Sequence, residues 1–181
     1  MSTTKSGNIY LIGFMGAGKS SLGRALAARL GMPFVDTDQL IEQLTGRSIA
    51  DLFAIEGEGH FRQIERQVIE TVSRQVGQVV AVGGGAVVDS ENWRRLQESG
   101  ITVYIKCAPS LLSQRLAKDR ARPLLQGLDG EERSLAIAGL LAEREPRYCQ
   151  AQVVLRVDET ATVEALVSQL LAVLGKRDGN D

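Results

Sequence analysis

One stretch of eight residues near the amino terminus, at positions 13–20, limits what this chain can fold into more than any other. It reads GFMGAGKS and matches G-x-x-x-x-G-K-[ST], the pattern of a phosphate-binding loop. The apolar residues 8–12 before it are typical of a buried strand. Residues 21–30 after it place Leu22, Leu26 and Leu30 on one helical face, and Gly31 predicts the end of that helix. A strand, a glycine loop and a helix in this order predict a nucleotide site.

The residue types in this loop suit a polyphosphate. Glycines let backbone N–H groups turn toward an anion without a Cβ in the way, and the start of a helix adds roughly half a positive charge facing it. The Lys19 side chain is expected to reach the phosphates, and the Ser20 hydroxyl is expected to ligate Mg²⁺. We therefore expect ATP at six consecutive residues: Gly16, Ala17, Gly18, Lys19, Ser20 and Ser21.

Composition favours a single domain over residues 1–181, with a core at about 8–174, and excludes some partners. The net charge of -1 and the aromatic content of 4% give no basis for binding nucleic acid. The longest apolar run, at 79–88, is interrupted by glycines and is shorter than the roughly 20 residues of a membrane span. An amino-terminal signal peptide would have to be cleaved within the phosphate-binding loop, so we expect a cytoplasmic protein. No exposed apolar face stands out, which favours a monomer.

Strands and helices alternate along the rest of the chain. Further strands are predicted at 32–36, 79–82, 101–105 and 152–156, and further helices at 39–44, 48–55, 58–75, 90–98, 109–116, 131–148 and from 163 onward. Residues 118–130 are polar and rich in Arg, Gly and Pro, which predicts a mobile loop. This alternation predicts a parallel sheet with helices on both faces. We interpret Cys107 and Cys149 as buried thiols and His60 as a surface residue rather than a catalyst.

Two aspartates follow the second predicted strand, at the edge where ligands bind in parallel sheets. The third strand ends in glycines, so Asp36 is the best available acid near the metal. Asp38 is a candidate to accept a proton from a substrate hydroxyl. Its alternative role is to cap the helix that follows.

Arg62 and Glu65 stand three residues apart and share one edge of the longest predicted helix. If the pair is exposed, it contributes only about a few tenths of a kcal/mol. Beside two acids at a strand end, Arg62 is instead a candidate for binding an anionic substrate. The glycine triplet Gly83, Gly84 and Gly85 either lets a ligand approach the backbone or forms a tight turn.

Arg144 interrupts an apolar helical stripe that contains Ile137, Leu141 and Tyr148. A guanidinium on a core-facing stripe needs an anionic or hydrogen-bonding partner. A side chain extended toward water near the helix end is the alternative.

Further arginines flank the polar loop, and each either contacts ATP at the transferred phosphoryl group or lies in solvent. They are Arg115, Arg120 and Arg122.

Seven segments, taken together, resemble the shikimate kinase family of P-loop proteins. The resemblance runs from Ile9 to about Val173. Beyond the phosphate-binding loop each segment alone is weakly specific, whereas the set in this order is highly specific. The segments are GFMGAGKS at 13–20, DTD at 36–38, GRSI at 46–49, FRQIE at 61–65, GGG at 83–85, RPLL at 122–125 and REPRY at 144–148.

This resemblance implies ATP-dependent phosphorylation of the 3-hydroxyl of shikimate, in chorismate and aromatic amino-acid synthesis. It implies a three-layer α/β/α P-loop kinase fold with a five-stranded parallel sheet in the order 2-3-1-4-5. It also implies a lid at about 118–130, whose closure would protect ATP from hydrolysis.

The resemblance also implies a role for each site residue. Arg62 and Arg144 would bind the carboxylate of shikimate, and Asp38 would bind its hydroxyls and act as base. Asp36 would hold Mg²⁺ through water beside Ser20, Arg122 would reach the phosphates, and Arg115 would lie against adenine. We expect catalytic roles for Lys19, Asp38 and Arg122. The expected shikimate site is Asp38, Arg62, Glu65, Gly83, Gly84, Gly85 and Arg144.

Two features depart from the family's pattern. Ala81 and Val82 replace the Ser or Thr often found before the glycine triplet, which would affect metal affinity. Arg147 stands where the family often has an apolar residue.

A gluconate kinase or a nucleoside-monophosphate kinase is the alternative within the same class, although an arginine pair suits a carboxylate better than a neutral sugar. An inactive ATP-binding regulatory module is the alternative in a different class. The presence of Lys19, Asp38 and Arg62 argues against it.

Overall fold

The computed structural model describes residues 7–119 and 122–178. Its strands form one parallel sheet in the order β2-β3-β1-β4-β5, which confirms the expected topology. The strands are β1 Asn8–Ile12, β2 Phe34–Asp36, β3 Val79–Ala81, β4 Gly100–Cys107 and β5 Val153–Val157.

Seven α-helices connect and follow these strands in the described part of the chain. They are α1 Lys19–Leu30, α2 Thr37–Thr45, α3 Ile49–Ser73, α4 Ser90–Ser99, α5 Pro109–Leu116, α6 Gly130–Tyr148 and α7 Val163–Asp178. Two short 3₁₀ turns, Ala86–Val88 and Pro123–Leu125, were not expected from the sequence. Within residues 7–119 and 122–178, no helix has both the length and the apolar character that crossing a bilayer requires.

The helices cover both faces of the sheet. Every residue of β1 and β3 is buried, and successive side chains of a strand point to opposite faces. Both faces are therefore shielded from water, as in other parallel sheets. One pair of packed helices is α1 with α7, and another is α3 with α4. The result is the expected three-layer α/β/α arrangement.

The strand register brings the functional segments to one edge. Ala81 of β3 lies between Asp36 of β2 and Leu11 of β1. Because the strands are parallel, their carboxyl ends meet at the same level. The phosphate-binding loop, Asp36 and the glycine triplet therefore all lie at the carboxyl edge of the sheet.

The long helix α3 differs from its prediction. Two helices separated at Gly57 and Gly59 were expected, whereas α3 continues through this region with a kink at Gly57. Gly57 has φ 81° and ψ 166°, a conformation that glycine adopts readily. The kink lets one continuous element carry both the segment at 49–56 and the pair Arg62 and Glu65.

The structure also decides several smaller expectations. Gly31 ends α1, as predicted, and Gly46 ends α2; both glycines are in the left-handed conformation. His60 is half-exposed and paired with Glu56, which confirms a surface position. Cys107 is buried, but Cys149 is exposed, so the prediction of two buried thiols is wrong for Cys149.

The two departures noted in the sequence have clear surroundings. Ala81 and Val82 are buried at the end of β3. The guanidinium of Arg147 lies over the Trp93 ring, 5.8 Å from its centroid, and so covers a buried aromatic side chain of α4.

Candidate active site

The loop between β1 and α1 has the backbone shape that its glycines predict. Gly13, Gly16 and Gly18 have φ values of 142°, 77° and 96°, which favour glycine. A Cβ at Gly13 would lie 2.7 Å from the Ile105 carbonyl oxygen. No side chain caps the start of α1, so the amide groups of its first turn are available for an anion.

Lys19 extends along this loop, and its Nζ donates to the carbonyl oxygens of Gly13 at 2.8 Å and Phe14 at 2.9 Å. Burial lowers the pKa of Lys19 to about 8, an effect that Asp38 opposes and Arg122 reinforces. The lysine is thus held within reach of both the acids and Arg122.

Ser20 and Asp36 bring two oxygen ligands together. The Ser20 hydroxyl donates to Asp36 Oδ2 at 2.6 Å. Hydroxyl and carboxylate oxygens suit Mg²⁺, which takes few ligands from a protein and keeps water and phosphate oxygens for the rest. Within the described residues, no cluster of three or more His, Cys, Asp or Glu side chains could hold a metal ion. A magnesium ion here would therefore depend on water and phosphate oxygens for its other ligands.

Asp36 caps the helix that carries Asp38, and this determines the role left for the Asp38 side chain. The other oxygen of Asp36, Oδ1, accepts from the backbone N–H of Asp38 at 3.1 Å and of Gln39 at 3.3 Å, and so caps α2. The alternative role of Asp38 as the helix cap is therefore wrong. Its carboxyl group instead lines the cavity, where burial raises its pKa although Lys19 acts in the opposite direction.

A cavity of about 540 Å³ lies above these residues. Its size is within the range typical of small-molecule sites. Predicted site residues that line it include Gly16, Gly18, Lys19, Ser20, Ser21, Asp36, Asp38, Gly84 and Arg122. The sequence did not indicate the contributions of Met15, Gln39, Glu42, Ser48, Ile49 and Pro123.

A smaller recess, called the acid recess below, adjoins this cavity and contains every residue of the expected shikimate site. It is lined by Asp38, Arg62, Glu65, Gly83, Gly84, Gly85 and Arg144, together with Arg122 and apolar side chains that the sequence analysis did not assign, among them Phe53, Phe61 and Leu124. The structure thus brings together side chains from α2, α3 and α6 around the glycine triplet.

The glycine triplet allows its neighbours to approach the backbone closely. A Cβ at Gly83 would lie 2.6 Å from Asp38 Oδ1, and one at Gly85 would lie 2.6 Å from Arg62 Nη2. The backbone N–H of Gly83 donates to the Thr37 hydroxyl at 2.9 Å. Only glycine leaves room here for the acid on one side and the guanidinium on the other.

Arg62 and Glu65 form the predicted pair, with Arg62 Nη1 2.8 Å from Glu65 Oε2. Glu65 is 2% exposed, so this is not the weak surface pair considered as one interpretation. Burial raises the pKa of Glu65 to about 7, and Arg62 limits that rise. Burial alone would lower the pKa of Arg62, but Glu65 and Glu58 together outweigh burial and the net shift is upward.

Arg144 lies on the buried stripe of α6, as its spacing predicted, and is only 5% exposed. Among the described residues it forms no ion pair with a carboxylate. Its guanidinium lies 5.8 Å from the centroid of the Phe14 ring. The neighbouring Tyr148 donates its hydroxyl to the Gly84 carbonyl at 2.6 Å. A buried cation with this environment is suited to an anionic ligand.

Arg115 lies on the opposite side of the phosphate-binding loop. Its Nη1 donates to the carbonyl oxygens of Gly16 at 3.1 Å and Ala17 at 3.2 Å. It lines a second cavity of about 280 Å³ with Val157, Ala161, Val163 and Leu166. Sequence reasoning did not assign these four residues to a site, since apolar side chains from the end of β5 to the first turns of α7 carry no distinctive pattern.

Arg122 lines both the large cavity and the acid recess. Its Nε donates to Asp119 Oδ2 at 3.0 Å. The charge of Arg122 acts on the pKa values of both Lys19 and Asp38, so the three groups share one electrostatic environment. Arg120, the other loop arginine considered, lies outside the described residues.

Comparison with known proteins gives one consistent result. The family model described as "Shikimate kinase" matches residues 15–175. A shikimate kinase of Synechococcus sp. (strain JA-3-3Ab) is 47% identical over 163 residues, covering 90% of this chain and 84% of that protein.

Solved structures agree with the sequence comparison. The shikimate kinase from Acinetobacter baumannii in complex with shikimate has a TM-score of 0.90 and 36% identity, covering 95% of this chain and 94% of that one. A gluconokinase from Sinorhizobium meliloti 1021 has a TM-score of 0.59 and 20% identity, covering 97% of this chain and 95% of that one. That second likeness is evidence for the fold alone.

Proposed function

This chain belongs to the shikimate kinase family, and we propose that it transfers the γ-phosphoryl group of ATP to the 3-hydroxyl of shikimate. One observation carries the proposal for this molecule. A phosphate-binding loop and a recess lined by Arg62, Arg122 and Arg144 meet at Asp38, which lines both cavities. This arrangement places an acceptor hydroxyl between a base and a phosphoryl donor.

The acceptor is held through its carboxylate. Arg62 and Arg144 line the recess from α3 and α6, and Arg144 is buried. A carboxylate bound by Arg144 would give that buried cation an anionic partner. Arg62 already has Glu65 as its partner, so we infer that Glu65 holds the Arg62 guanidinium toward the recess.

Asp38 acts as the general base. Because burial raises its pKa, its carboxylate is a stronger base than an exposed aspartate, and it accepts the proton of the attacking hydroxyl. The backbone of Gly83 lies directly beside it and limits how far it can turn.

The donor side is held by the P-loop. The amide groups at the start of α1 and the Lys19 ammonium hold the phosphates, and Arg122 adds charge where the transferred group passes. Arg115 and the apolar residues around the second cavity hold the nucleotide base. Magnesium, when bound at Ser20 and near Asp36, would neutralise phosphate charge.

The lid is assigned to residues at about 118–130, which include Arg122. The single chain supplies all of the proposed groups, so we infer that the monomer is the active unit. Because cleavage of an amino-terminal signal peptide would destroy the phosphate-binding loop, we also propose that the protein works in the cytoplasm. Size-exclusion chromatography at the assay concentration tests the first statement, and an equilibrium dimer whose dissociation abolishes activity would contradict it.

The test of the proposed function is ADP release in the presence of Mg²⁺, with and without shikimate. Gluconate and AMP serve as alternative acceptors. We expect turnover that requires shikimate; turnover with either alternative would overturn the substrate, and ATP binding without turnover on any acceptor would indicate a binding module. Arg66→Met is a matched control for Arg62→Met, because Arg66 is on the same helix but exposed and paired with Asp89.

A further inference from the structure

The side chain of Arg133, in the first turns of α6, is buried with only 4% exposure. Within the described residues its guanidinium donates four hydrogen bonds, and all of them go to backbone carbonyl oxygens. Nε donates to Leu116 at 3.1 Å, Nη1 donates to Leu125 at 2.8 Å and to Leu128 at 3.3 Å, and Nη2 donates to Asp119. Burying a guanidinium is costly unless its donors are satisfied, so this arrangement is specific to the shape of the surrounding backbone.

The carbonyl groups come from both sides of Arg122. Leu116 and Asp119 precede Arg122 in the chain, whereas Leu125 and Leu128 follow it. Arg133 therefore connects the end of α5 to the 3₁₀ turn Pro123–Leu125 across the segment that carries Arg122.

Two of these carbonyl groups belong to residues that hold Arg122 directly. The Asp119 carboxylate accepts from Arg122 Nε at 3.0 Å. The Leu125 N–H donates to the Arg122 carbonyl oxygen at 3.0 Å. Arg133 thus holds the backbone of Asp119 and Leu125. Asp119 in turn binds Arg122 with its side chain, and Leu125 binds Arg122 with its main chain.

A third carbonyl group connects Arg133 to the phosphate-binding loop. The side chain of Leu116 packs against Gly16, where an added Cβ would lie 3.1 Å from Leu116 Cδ2. Because Arg133 also holds the Leu116 carbonyl, the same guanidinium fixes the position of the Arg122 segment relative to the phosphate-binding loop.

We infer that Arg133 is a positioning residue that places Arg122 at the transferring phosphoryl group. This inference rests on the proposed function, because it assumes that Arg122 acts in catalysis. Arg133 itself touches neither substrate in this arrangement; its effect passes through Asp119 and Leu125. A planar fork with fixed donors can satisfy four carbonyl groups at once, whereas the lysine ammonium is a single point with three donors.

The experiment is a double-mutant cycle of Arg122→Met and Arg133→Met, measured as kcat at saturating ATP and shikimate. We expect Arg133→Met to reduce kcat by about 10- to 100-fold while KM for shikimate changes by less than about threefold. In the Arg122→Met background, the second substitution should cause no further loss of kcat, because the group that it positions is gone. Independent, multiplicative losses would overturn the inference.

The variants distinguish failure of the inference from failure of the proposed function. If Arg122→Met leaves kcat unchanged, the catalytic role of Arg122 fails and the inference fails with it. If Arg122→Met is impaired but Arg133→Met is not, only the inference fails. Arg147→Met is the control, because Arg147 is on the same helix but its guanidinium lies over the Trp93 ring rather than on the backbone around Arg122; its kcat should be unchanged.

Arg133→Lys keeps the experiment informative if methionine prevents folding. It retains the charge but not the planar fork, so we expect a folded protein with reduced kcat and nearly normal ATP affinity by calorimetry. A folded Arg133→Lys protein with the full kcat would overturn the positioning role. Failure of both variants to fold would also overturn it, since Arg133 would then be a structural requirement.

Discussion

Replacing Gly83 with alanine tests the geometry of the proposed base most directly. The added Cβ would lie 2.6 Å from Asp38 Oδ1 and 3.2 Å from Glu65 Oε1, whereas ordinary contact begins at 3.4 Å. The Asp38 oxygen must therefore move by about 0.8 Å. A displacement of about 1 Å in a reacting group can reduce the rate by about 100-fold, and we expect a loss of kcat of that order.

The stability of this variant should change much less than its rate. The atoms in the way are the ends of two side chains, which can rotate, rather than backbone. We expect Tm to fall by no more than about 4 °C, which corresponds to about 1 kcal/mol in a protein of this length.

Steady-state kinetics with coupled ADP detection and differential scanning calorimetry measure the two effects. Gly59→Ala is the control, because Gly59 lies in α3 with no atom within 4 Å of an added Cβ; it should keep full kcat. A Gly83→Ala protein with nearly wild-type kcat would refute the placement of Asp38 at the reacting hydroxyl. A large fall in Tm would refute the argument that only side chains must move.

Three further perturbations follow from charges in the site. Arg144→Met should raise KM for shikimate by about 100-fold or more, since a charged contact of about 3 kcal/mol is lost, while Tm stays equal or rises because a buried cation is removed; an equal loss of ATP affinity by calorimetry would contradict this. The kcat/KM for ATP should fall above about pH 8, because the pKa of Lys19 in the free protein is about 8 and only the ammonium form binds phosphate well; Lys19→Arg should move this fall to higher pH, and an unchanged profile would refute the role of Lys19. The free energy of unfolding should decrease as pH rises from 4.5 to about 7, because the pKa of Glu65 is about 7 in the folded protein instead of 4.5 and the unfolded chain loses its proton first. Urea titrations at several pH values should show that Glu65→Gln makes this total decrease smaller, by up to about 3 kcal/mol over the interval. The same decrease in the variant as in the wild type would contradict it.

The sequence was sufficient for the phosphate-binding side of the molecule because that side is built from neighbours in the chain. The glycines of the loop, the strand before it and the helix after it follow one another without interruption. The fixed period of an apolar helical stripe put Arg144 on the core-facing side of its helix, but it left open whether the side chain extends toward water, and the structure buries it.

The division of roles between Asp36 and Asp38 could not be derived with the same certainty from the residues alone. Both are near the start of α2, and either could cap it by residue type. The outcome depends on backbone angles: Asp36 is extended, with φ -114° and ψ 117°, whereas Asp38 is already within the helix. Capping by Asp36 leaves the Asp38 side chain for the cavity.

Arg133 and the second cavity were missed for a different reason. Four carbonyl oxygens distributed over residues 116–128 have no signature in side-chain types. The polar composition of 118–130 predicted a loop, but composition does not reveal the 3₁₀ turn Pro123–Leu125 within it or the full burial of Leu125. Hydrogen bonds to backbone are visible only once the chain path is known.

The two hydrogen-bonding directions of Asp36 have a consequence for inhibitor design. One carboxylate oxygen receives Ser20 from the phosphate-binding loop and the other receives the start of the helix that carries Asp38. The nucleotide half and the acceptor half of the site are thus joined by a single short side chain. For a bisubstrate inhibitor that links an adenosine group to a cyclic acid, we therefore expect the best linker length to stay the same when either end group is changed.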